Sequence, residues 1–165
     1  MSDENKKEGL VDETYAEHDD SSGEYSKILK EAKEKGECPF CPENLTKTNK
    51  IILEVSDGWP SHGWVLIENK WPYENADVHL ILIPKRHITT VEEINPADWA
   101  DIQSLIKMAR EKYPTLGKYG GGLALRFGTN SGVTIRHIHL HLIAPKTNLE
   151  TGRVFPDRWV NFPFG

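Results

Sequence analysis

Three histidines stand on alternate residues near the end of the chain, inside the apolar run at positions 136–143. Successive side chains of a β-strand point to opposite faces, so we expect His137, His139 and His141 to share one face of a strand. Three neighbouring imidazoles displace apolar packing, and imidazole is a metal ligand, a proton carrier and a nucleophile. The run therefore predicts an active-site strand.

Metal binding is one chemistry that these histidines could support. Two imidazoles two residues apart on a strand can reach one zinc ion. The outer two of three lie roughly 13 Å apart at about 3.3 Å of rise per residue, so all three do not readily share one ion. No Asp or Glu stands close to the motif to serve as the general base of a hydrolytic zinc site. A catalytic metal is therefore an alternative that the pattern does not favour.

The only two cysteines form a Cys-x-x-Cys pair, Cys38 and Cys41. This spacing is typical of half a tetrahedral zinc site or of a redox pair. The thioredoxin type of redox pair begins a helix directly after a strand, whereas here a helix is predicted to precede the pair. Zinc is the favoured interpretation, and it needs two more ligands, which the triad itself, His62, His79 or His87 could supply.

The loop before the histidine run combines glycines with small polar residues. Gly128 and Gly132 flank Thr129, Asn130 and Ser131, and Thr134 follows. Backbone N–H groups and hydroxyls of such a loop can bind an anion. An ordinary hairpin loop has a similar composition, but its place directly before an imidazole array favours a phosphate-binding loop. Phosphoryl or nucleotidyl transfer through an imidazole nucleophile needs that combination.

The elements around these motifs suggest an α+β domain. A first helix is predicted from Glu24 to about Lys35, ending at Gly36, and a longer one from Pro96 to about Tyr113, capped by Asn95. The apolar stripe predicted for the long helix includes Trp99. The strands predicted for a mostly antiparallel sheet of five or more strands are Lys50–Val55, Trp64–Glu68, His79–Ile83, Leu123–Phe127 and the histidine run.

Charge is distributed unevenly along the 165 residues, whose net charge is −5. Positions 1–23 carry eight acidic and two basic residues, and we expect a disordered acidic tail there, with one domain over 24–165. The domain is nearly neutral, which gives no electrostatic case for nucleic-acid binding. No stretch is apolar enough for a membrane span, and the acidic start does not resemble a signal peptide, so we expect a cytoplasmic protein.

Three segments together resemble the histidine triad (HIT) superfamily. The run His137–Ile143 is similar to its triad motif of three histidines, each followed by an apolar residue. The segment His79–Ile88 resembles the family's strand that runs into Pro-Lys-x-His, and Asn69–Pro72 resembles the Asn-x-x-Pro turn of the dinucleoside polyphosphate hydrolases. The resemblance covers roughly positions 37–145 and implies a HIT-like fold.

The resemblance also implies roles for individual residues. His139 would be the nucleophile that attacks the α-phosphorus of a nucleotide, and His141 would stabilise charge on the phosphate and leaving group. A structural zinc, one per chain, would be held by Cys38, Cys41, His87 and His137. The substrate-binding set would be Ile67, Asn69, Asn130, Gly132, Val133 and Thr134.

The sequence thus predicts a nucleotide hydrolase or nucleotidyltransferase that forms a covalent nucleotidyl-histidine intermediate. Its substrates would be small molecules of the dinucleoside polyphosphate or nucleoside phosphoramidate class, and its assembly a homodimer. Transferase relatives end the triad with glutamine, so His141 favours hydrolysis or phosphorolysis. The alternatives are a nucleotide-binding regulatory module with little turnover and a zinc-dependent hydrolase with catalytic histidine ligands. The C-terminal aromatics, Trp159 among them, either cover the core or reach a partner's active site.

Overall fold

The computed structural model describes residues 10–12, 23–55 and 63–163. Its helices and strands, in chain order, are α1 (Glu24–Lys35), α2 (Pro42–Thr48), β1 (Ile51–Val55), β2 (Trp64–Glu68), β3 (Ala76–Pro84), α3 (Pro96–Lys112), α4 (Pro114–Tyr119), β4 (Gly122–Leu125) and β5 (Leu140–Pro145). Short 3-10 turns lie at Val91–Glu93 and Thr129–Ser131. None of the described helices is long and apolar enough to cross a membrane.

The five strands form one antiparallel sheet in the order β1-β2-β3-β5-β4. The predicted α+β class and antiparallel sheet are confirmed. The central pair is β3 with β5, in which Ile81 lies opposite His141 and His79 lies opposite Ile143. The middle of the sheet therefore carries histidines from two neighbouring strands on one face.

Both faces of the sheet are covered, and the side chains of each strand divide between two cores. In β2, Trp64 and Leu66 pack into the core under α3, whereas Val65 and Ile67 pack into the core under α1 and α2. Burial on both faces explains why the central strands are apolar throughout instead of alternating with polar residues. In β5, Leu140 and Leu142 belong to the α3 side. Because strand side chains alternate, His141 projects to the α1 side.

The long helix α3 begins where the sequence predicts. The Asn95 side chain accepts hydrogen bonds from the backbone N–H groups of Ala97 and Asp98, and the Asp98 carboxylate accepts one from the Asn95 N–H. This reciprocal cap satisfies N–H groups that have no partner inside the helix. The predicted stripe is wrong at one position, because Trp99 is 43% exposed. The buried face of the helix runs instead through Ile102, which is followed by Leu105 and Ala109.

Helix α1 has the predicted bounds and ends at Gly36, whose φ of 62° is the left-handed conformation that glycine adopts readily. Helix α2 was not predicted. Cys41 precedes its first turn, Pro42 occupies the first helical position, and the Leu45 N–H donates to the Cys41 carbonyl. The Cys-x-x-Cys turn is thus held between two helices.

Residues 10–12 lie within the predicted disordered tail but pack on the domain. Val11 is 4% exposed and forms a β-bridge with Ile135. The Asp12 N–H donates to the Thr134 carbonyl, and the Leu10 carbonyl accepts from the Arg136 N–H. For these three residues the tail prediction needs correction, because an apolar Val11 finds both a core site and backbone partners. The rest of the predicted tail, 1–9 and 13–22, lies outside the described residues.

Candidate functional site

The three histidines of the motif are all buried, but only His141 lies inside a strand. The prediction of one strand carrying all three is corrected, because β5 begins at Leu140. Before Leu140 the backbone forms hydrogen bonds outside the sheet. The Ile138 N–H donates to the Ile88 carbonyl, and the Arg136 N–H donates to the Leu10 carbonyl. The histidines therefore enter three different environments.

The environment of His139 defines its protonated nitrogen. Its Nδ1 lies 2.8 Å from the backbone carbonyl oxygen of His137, which can only accept a hydrogen bond. A neutral His139 ring therefore carries its proton on Nδ1, and Nε2 keeps a lone pair. The ring is 5% exposed and packs edge-on against Phe40 at 5.1 Å between centroids. An imidazole held this way presents one nucleophilic nitrogen.

A second buried histidine, His79 on β3, sets the proton position on His141. The backbone N–H of Tyr73 donates to His79 Nδ1 at 3.1 Å, so a neutral His79 carries its proton on Nε2. That Nε2–H donates to Nδ1 of His141 at 2.8 Å. His141 must then be protonated on Nε2, and this buried nitrogen has no hydrogen-bond partner among the described residues. An unsatisfied buried donor is positioned to bind an oxygen atom.

Burial keeps these imidazoles neutral. Desolvation lowers the pKa of His79 to about 4, and the charge of Arg126 and the neighbouring His139 lower it further. The pKa of His139 is likewise lowered to about 4, chiefly by burial and despite the hydrogen bond to the His137 carbonyl. Burial, His139, His79 and Arg126 all lower the pKa of His141 well below its usual range. At neutral pH the site thus holds a neutral imidazole with a free Nε2 lone pair, that of His139, and a neutral N–H donor, that of His141.

A pocket opens in front of His139 and His141 and contains several of the predicted substrate residues. Ile67, Asn69 and Thr134 line it. The Thr134 hydroxyl forms a 2.5 Å hydrogen bond with the Tyr25 hydroxyl. The remaining lining includes Tyr25, Phe40, Trp71, Ile81 and Arg126.

The other three predicted substrate residues, Asn130, Gly132 and Val133, do not line this pocket. Val133 lines an adjoining cavity together with His137. The Gly132 carbonyl accepts a hydrogen bond from Arg126, and Asn130 is exposed on the 3-10 turn. The structure therefore brings half of the predicted set to the pocket beside the two catalytic candidates.

Cys38, Cys41, His87 and His137 come together as predicted. Their four ligand atoms all lie within 4.8 Å of one another. His137 Nδ1 is 3.4 Å from Cys38 Sγ, and His87 Nδ1 is 3.3 Å from Cys41 Sγ. The corners of a tetrahedron around zinc lie about 3.3–3.8 Å apart for Zn–N and Zn–S bonds of about 2.0–2.3 Å. The donor set and its spacing fit a four-coordinate zinc site.

The surroundings of the cluster also fit a metal. His137 Nε2–H donates to the Pro84 carbonyl at 2.8 Å, which leaves the Nδ1 lone pair facing the sulfurs. Ligating histidines commonly make such a bond to a carbonyl.

Between the cysteines, a hydrogen bond from the Cys41 thiol lowers the pKa of Cys38 and raises the pKa of Cys41 to about 11. Of the other two histidines considered as zinc ligands, His79 contacts His141 instead, and His62 lies outside the described residues.

Three residues of the site, His79, Arg126 and Phe162, are not in the predicted set. His79 was predicted only as a possible zinc ligand, and its place beside His141 depends on the pairing of β3 with β5, which the sequence does not show. Arg126, buried at the end of β4, carried no motif and could not be separated from other arginines. Phe162 from the C-terminal segment packs on His141 at 5.3 Å between ring centroids.

The chain is similar in sequence to known proteins. A family model described as scavenger mRNA decapping enzyme C-term binding matches residues 37–153. An uncharacterized HIT-like protein of Chlamydia muridarum is 25% identical over 92 residues, which cover 55% of this chain and 71% of the relative. A corresponding HIT-like protein of Chlamydia trachomatis is 26% identical over 94 residues, covering 55% of this chain and 81% of the relative.

Comparison with solved structures also supports the fold, through the structure from Sulfolobus tokodaii. A hypothetical histidine triad nucleotide-binding protein from Sulfolobus tokodaii superposes with a TM-score of 0.52 at 20% identity, covering 77% of this chain and 78% of its own. A HIT family hydrolase from Clostridium thermocellum is 27% identical, with 68% of this chain and 92% of its own covered and a TM-score of 0.49. Since the family model spans well over half of the chain and the triad is in place, the protein belongs to the scavenger mRNA decapping enzyme C-terminal binding family of the histidine triad superfamily.

Proposed function

We propose that this protein is an enzyme that cleaves nucleotides at the α-phosphate through a covalent nucleotidyl-histidine intermediate on His139. One observation carries the proposal: the His137 carbonyl holds the Nδ1 proton of His139, so Nε2 is the free nucleophilic atom at the pocket. Burial favours the neutral ring, which is the reactive form. The substrate classes are dinucleoside polyphosphates and nucleoside phosphoramidates.

The first step forms a bond between Nε2 of His139 and the α-phosphorus. The bond from phosphorus to the leaving group breaks, and its electron pair departs with that group. In the second step water attacks phosphorus, the P–N bond breaks with its electron pair returning to Nε2, and the proton of the water passes to solvent. Nε2–H of His141, which lacks a partner within residues 10–12, 23–55 and 63–163, donates to the phosphate oxygens as their charge develops. Dividing one displacement into two lowers each barrier.

Pocket residues supply binding. Ile67 offers an apolar wall for a base, and Asn69 and Thr134 offer polar groups for the ribose and phosphate. The Asn69 amide nitrogen also lies 3.3 Å from the ring nitrogens of His79. Asn69 would therefore contact both the bound ribose and the His79–His141 pair. Gly132, Val133 and Asn130 complete the phosphate loop.

A structural zinc, held by Cys38, Cys41, His87 and His137, accompanies this function. Bound zinc would tie the turn before α2 to the segment that enters β5. Four protein ligands leave no open position, which supports a structural over a catalytic role. The carbonyl of the ligand His137 is also the acceptor for His139, so the ordering of His137 contributes to the orientation of the nucleophile.

The proposal also includes a homodimeric assembly and a cytoplasmic location. Strand β4 is an edge of the sheet, and Leu123 on it and the nearby Trp159 are exposed apolar side chains. Exposed apolar groups at a sheet edge favour a homodimer, which light scattering would test. Two thiols that serve as ligands are suited to the reducing cytoplasm.

The test is trapping of the intermediate. Wild type, His139→Ala and His141→Asn are mixed with substrates labelled at the α-phosphate, quenched under alkaline conditions, which preserve a P–N bond, and analysed by mass spectrometry. We expect a nucleotidyl adduct on wild type and on His141→Asn, with slower turnover for the latter, and no adduct on His139→Ala. Near-normal turnover by His139→Ala would contradict the mechanism. Binding without turnover by wild type would favour the regulatory-module alternative.

A further inference from the structure

Arg126 is a buried cation in the wall of the pocket. It follows β4, is 5% exposed and lines the same pocket as His139 and His141. One terminal nitrogen, Nη1, donates to the Gly132 carbonyl at 3.0 Å, and Nη2 donates to the Tyr73 hydroxyl at 3.3 Å. Its Nε–H is buried and has no hydrogen-bond partner in the part of the chain that the structure describes. The guanidinium is therefore positioned but not satisfied.

The charge of Arg126 is also uncompensated within the described part of the chain. The ion pairs observed there join Lys85 to Glu54 and Arg86 to Asp98. The partners of Arg126 are neutral: the carbonyls of Gly132 and Pro163, the Tyr73 phenol and the Phe162 ring, whose centroid lies 5.3 Å from Cζ. A buried charge without a counter-charge is unfavourable, so such groups are normally paired. An anion in the pocket would supply the missing partner.

The neighbours of Arg126 connect it to the reacting groups. Tyr73 stacks on His141 at 5.8 Å between centroids, and Phe162 packs on the same ring. Arg126, His141 and His139 thus line one pocket, and the His141 Nε2–H is buried beside it. Two unsatisfied buried donors beside a nucleophile form a site for more than one phosphate group.

We propose that Arg126 binds the phosphate chain of the leaving group, so that the substrates are nucleotides whose α-phosphate is joined to a further phosphate. This inference rests on the proposed function and selects among its substrate classes. A phosphoramidate, whose leaving group is a neutral amine, would leave the Arg126 charge unpaired.

The chemistry of the leaving group agrees with this choice. When His139 Nε2 bonds to the α-phosphorus of a polyphosphate, the P–O bond breaks and its electron pair stays on the departing phosphate oxygen. That oxygen leaves as an anion, and a fixed positive charge stabilises it without a proton. An amine leaves well only after protonation of its nitrogen, and the buried His141 is neutral and a weak acid.

The activity test compares two substrates that share the adenosine 5′-phosphoryl group. Diadenosine tetraphosphate has an anionic leaving group, and adenosine 5′-phosphoramidate has a neutral one. For Arg126→Gln we expect kcat/KM to fall about 10- to 150-fold on the polyphosphate, the range for loss of a charge-assisted hydrogen bond, and only a few-fold on the phosphoramidate. Arg126→Lys, which keeps the charge, should recover part of the loss. Equal losses on both substrates would indicate a merely structural role and overturn the inference.

A binding test separates this inference from the proposed function and needs no turnover. Titration calorimetry on the unsubstituted protein compares AMP with α,β-methylene-ADP, which adds one uncleavable phosphate. We expect at least tenfold tighter binding of the analogue, and loss of that preference in Arg126→Gln. Equal affinities for wild type would overturn the inference even if Arg126→Gln fails to fold. Failure to turn over either substrate would count against the proposed function alone.

Discussion

Acidification should destabilise this protein through His79, and replacing this one side chain should remove a defined part of the effect. The neutral ring accepts a hydrogen bond from the Tyr73 N–H on Nδ1 and donates to His141 from Nε2. A protonated ring would place an N–H against the Tyr73 N–H and bury a charge beside Arg126. The folded state therefore resists a proton that the unfolded chain accepts.

The magnitude follows from the pKa. Burial lowers the pKa of His79 to about 4 in the folded protein, against an ordinary value of 6.5 in the unfolded chain. Because the folded pKa is the lower one, the unfolded state binds more protons, and stability falls as pH drops from about 6.5 toward 4. A pKa difference of 2.5 units lowers the free energy of unfolding by about 3 kcal/mol once the pH has fallen from above 6.5 to below 4. This is a large fraction of the 5–15 kcal/mol typical of a domain.

The assay is urea denaturation at several pH values between 7.5 and 4.5 for wild type and His79→Gln, which has no titrating group at this position. The other histidines and any bound metal are common to both proteins, so the difference in pH dependence reports the titration of His79 together with its effect on the pKa of His141. We expect the free energy of unfolding of wild type to fall more steeply, by about 1.4 kcal/mol per pH unit in the middle of the window. Parallel curves for the two proteins would refute the assignment of a neutral, buried His79.

Three further predictions concern the metal cluster, the cap of α3 and the docked N-terminal segment. Cys38→Ser should reduce bound zinc from about one ion per chain and lower the melting temperature by about 5–10 °C, as measured by metal analysis and calorimetry. Asp98→Ala should cost about 2–3 kcal/mol in urea denaturation, because the Arg86 guanidinium and the buried Trp64 N–H lose their acceptor. Val11→Ala should cost about 1–2 kcal/mol, because a buried side chain is truncated.

Each of the three has a control or an opposing result. Glu111→Ala, exposed on the same helix as Asp98, should change stability by less than about 0.5 kcal/mol. Wild type carrying no metal after careful preparation would contradict the zinc site. A Val11→Ala protein as stable as wild type would mean that the segment contributes nothing to the fold in solution.

Local signals were sufficient for many elements of this fold. The Asn95 cap, Pro96 and Gly36 mark helix ends because their backbone or side-chain chemistry acts within a few residues. Helix α2 escaped notice because seven residues without apolar periodicity carry little signal. Trp99 was misassigned because helical spacing predicts a face but not where neighbouring elements stop covering it.

For the site, the sequence by itself determined the chemistry available: three imidazoles at spacing two, a dithiol at spacing three, and a resemblance that assigned His137 to metal and His139 to catalysis. Only the tertiary structure decided what each group faces. It placed His137 Nδ1 toward the cysteines, oriented His139 through a carbonyl and His141 through His79, and enclosed Arg126 without a counter-charge from any described residue. These features depend on contacts between residues far apart in sequence, and burial, which sets pKa and protonation, exists only once those contacts form.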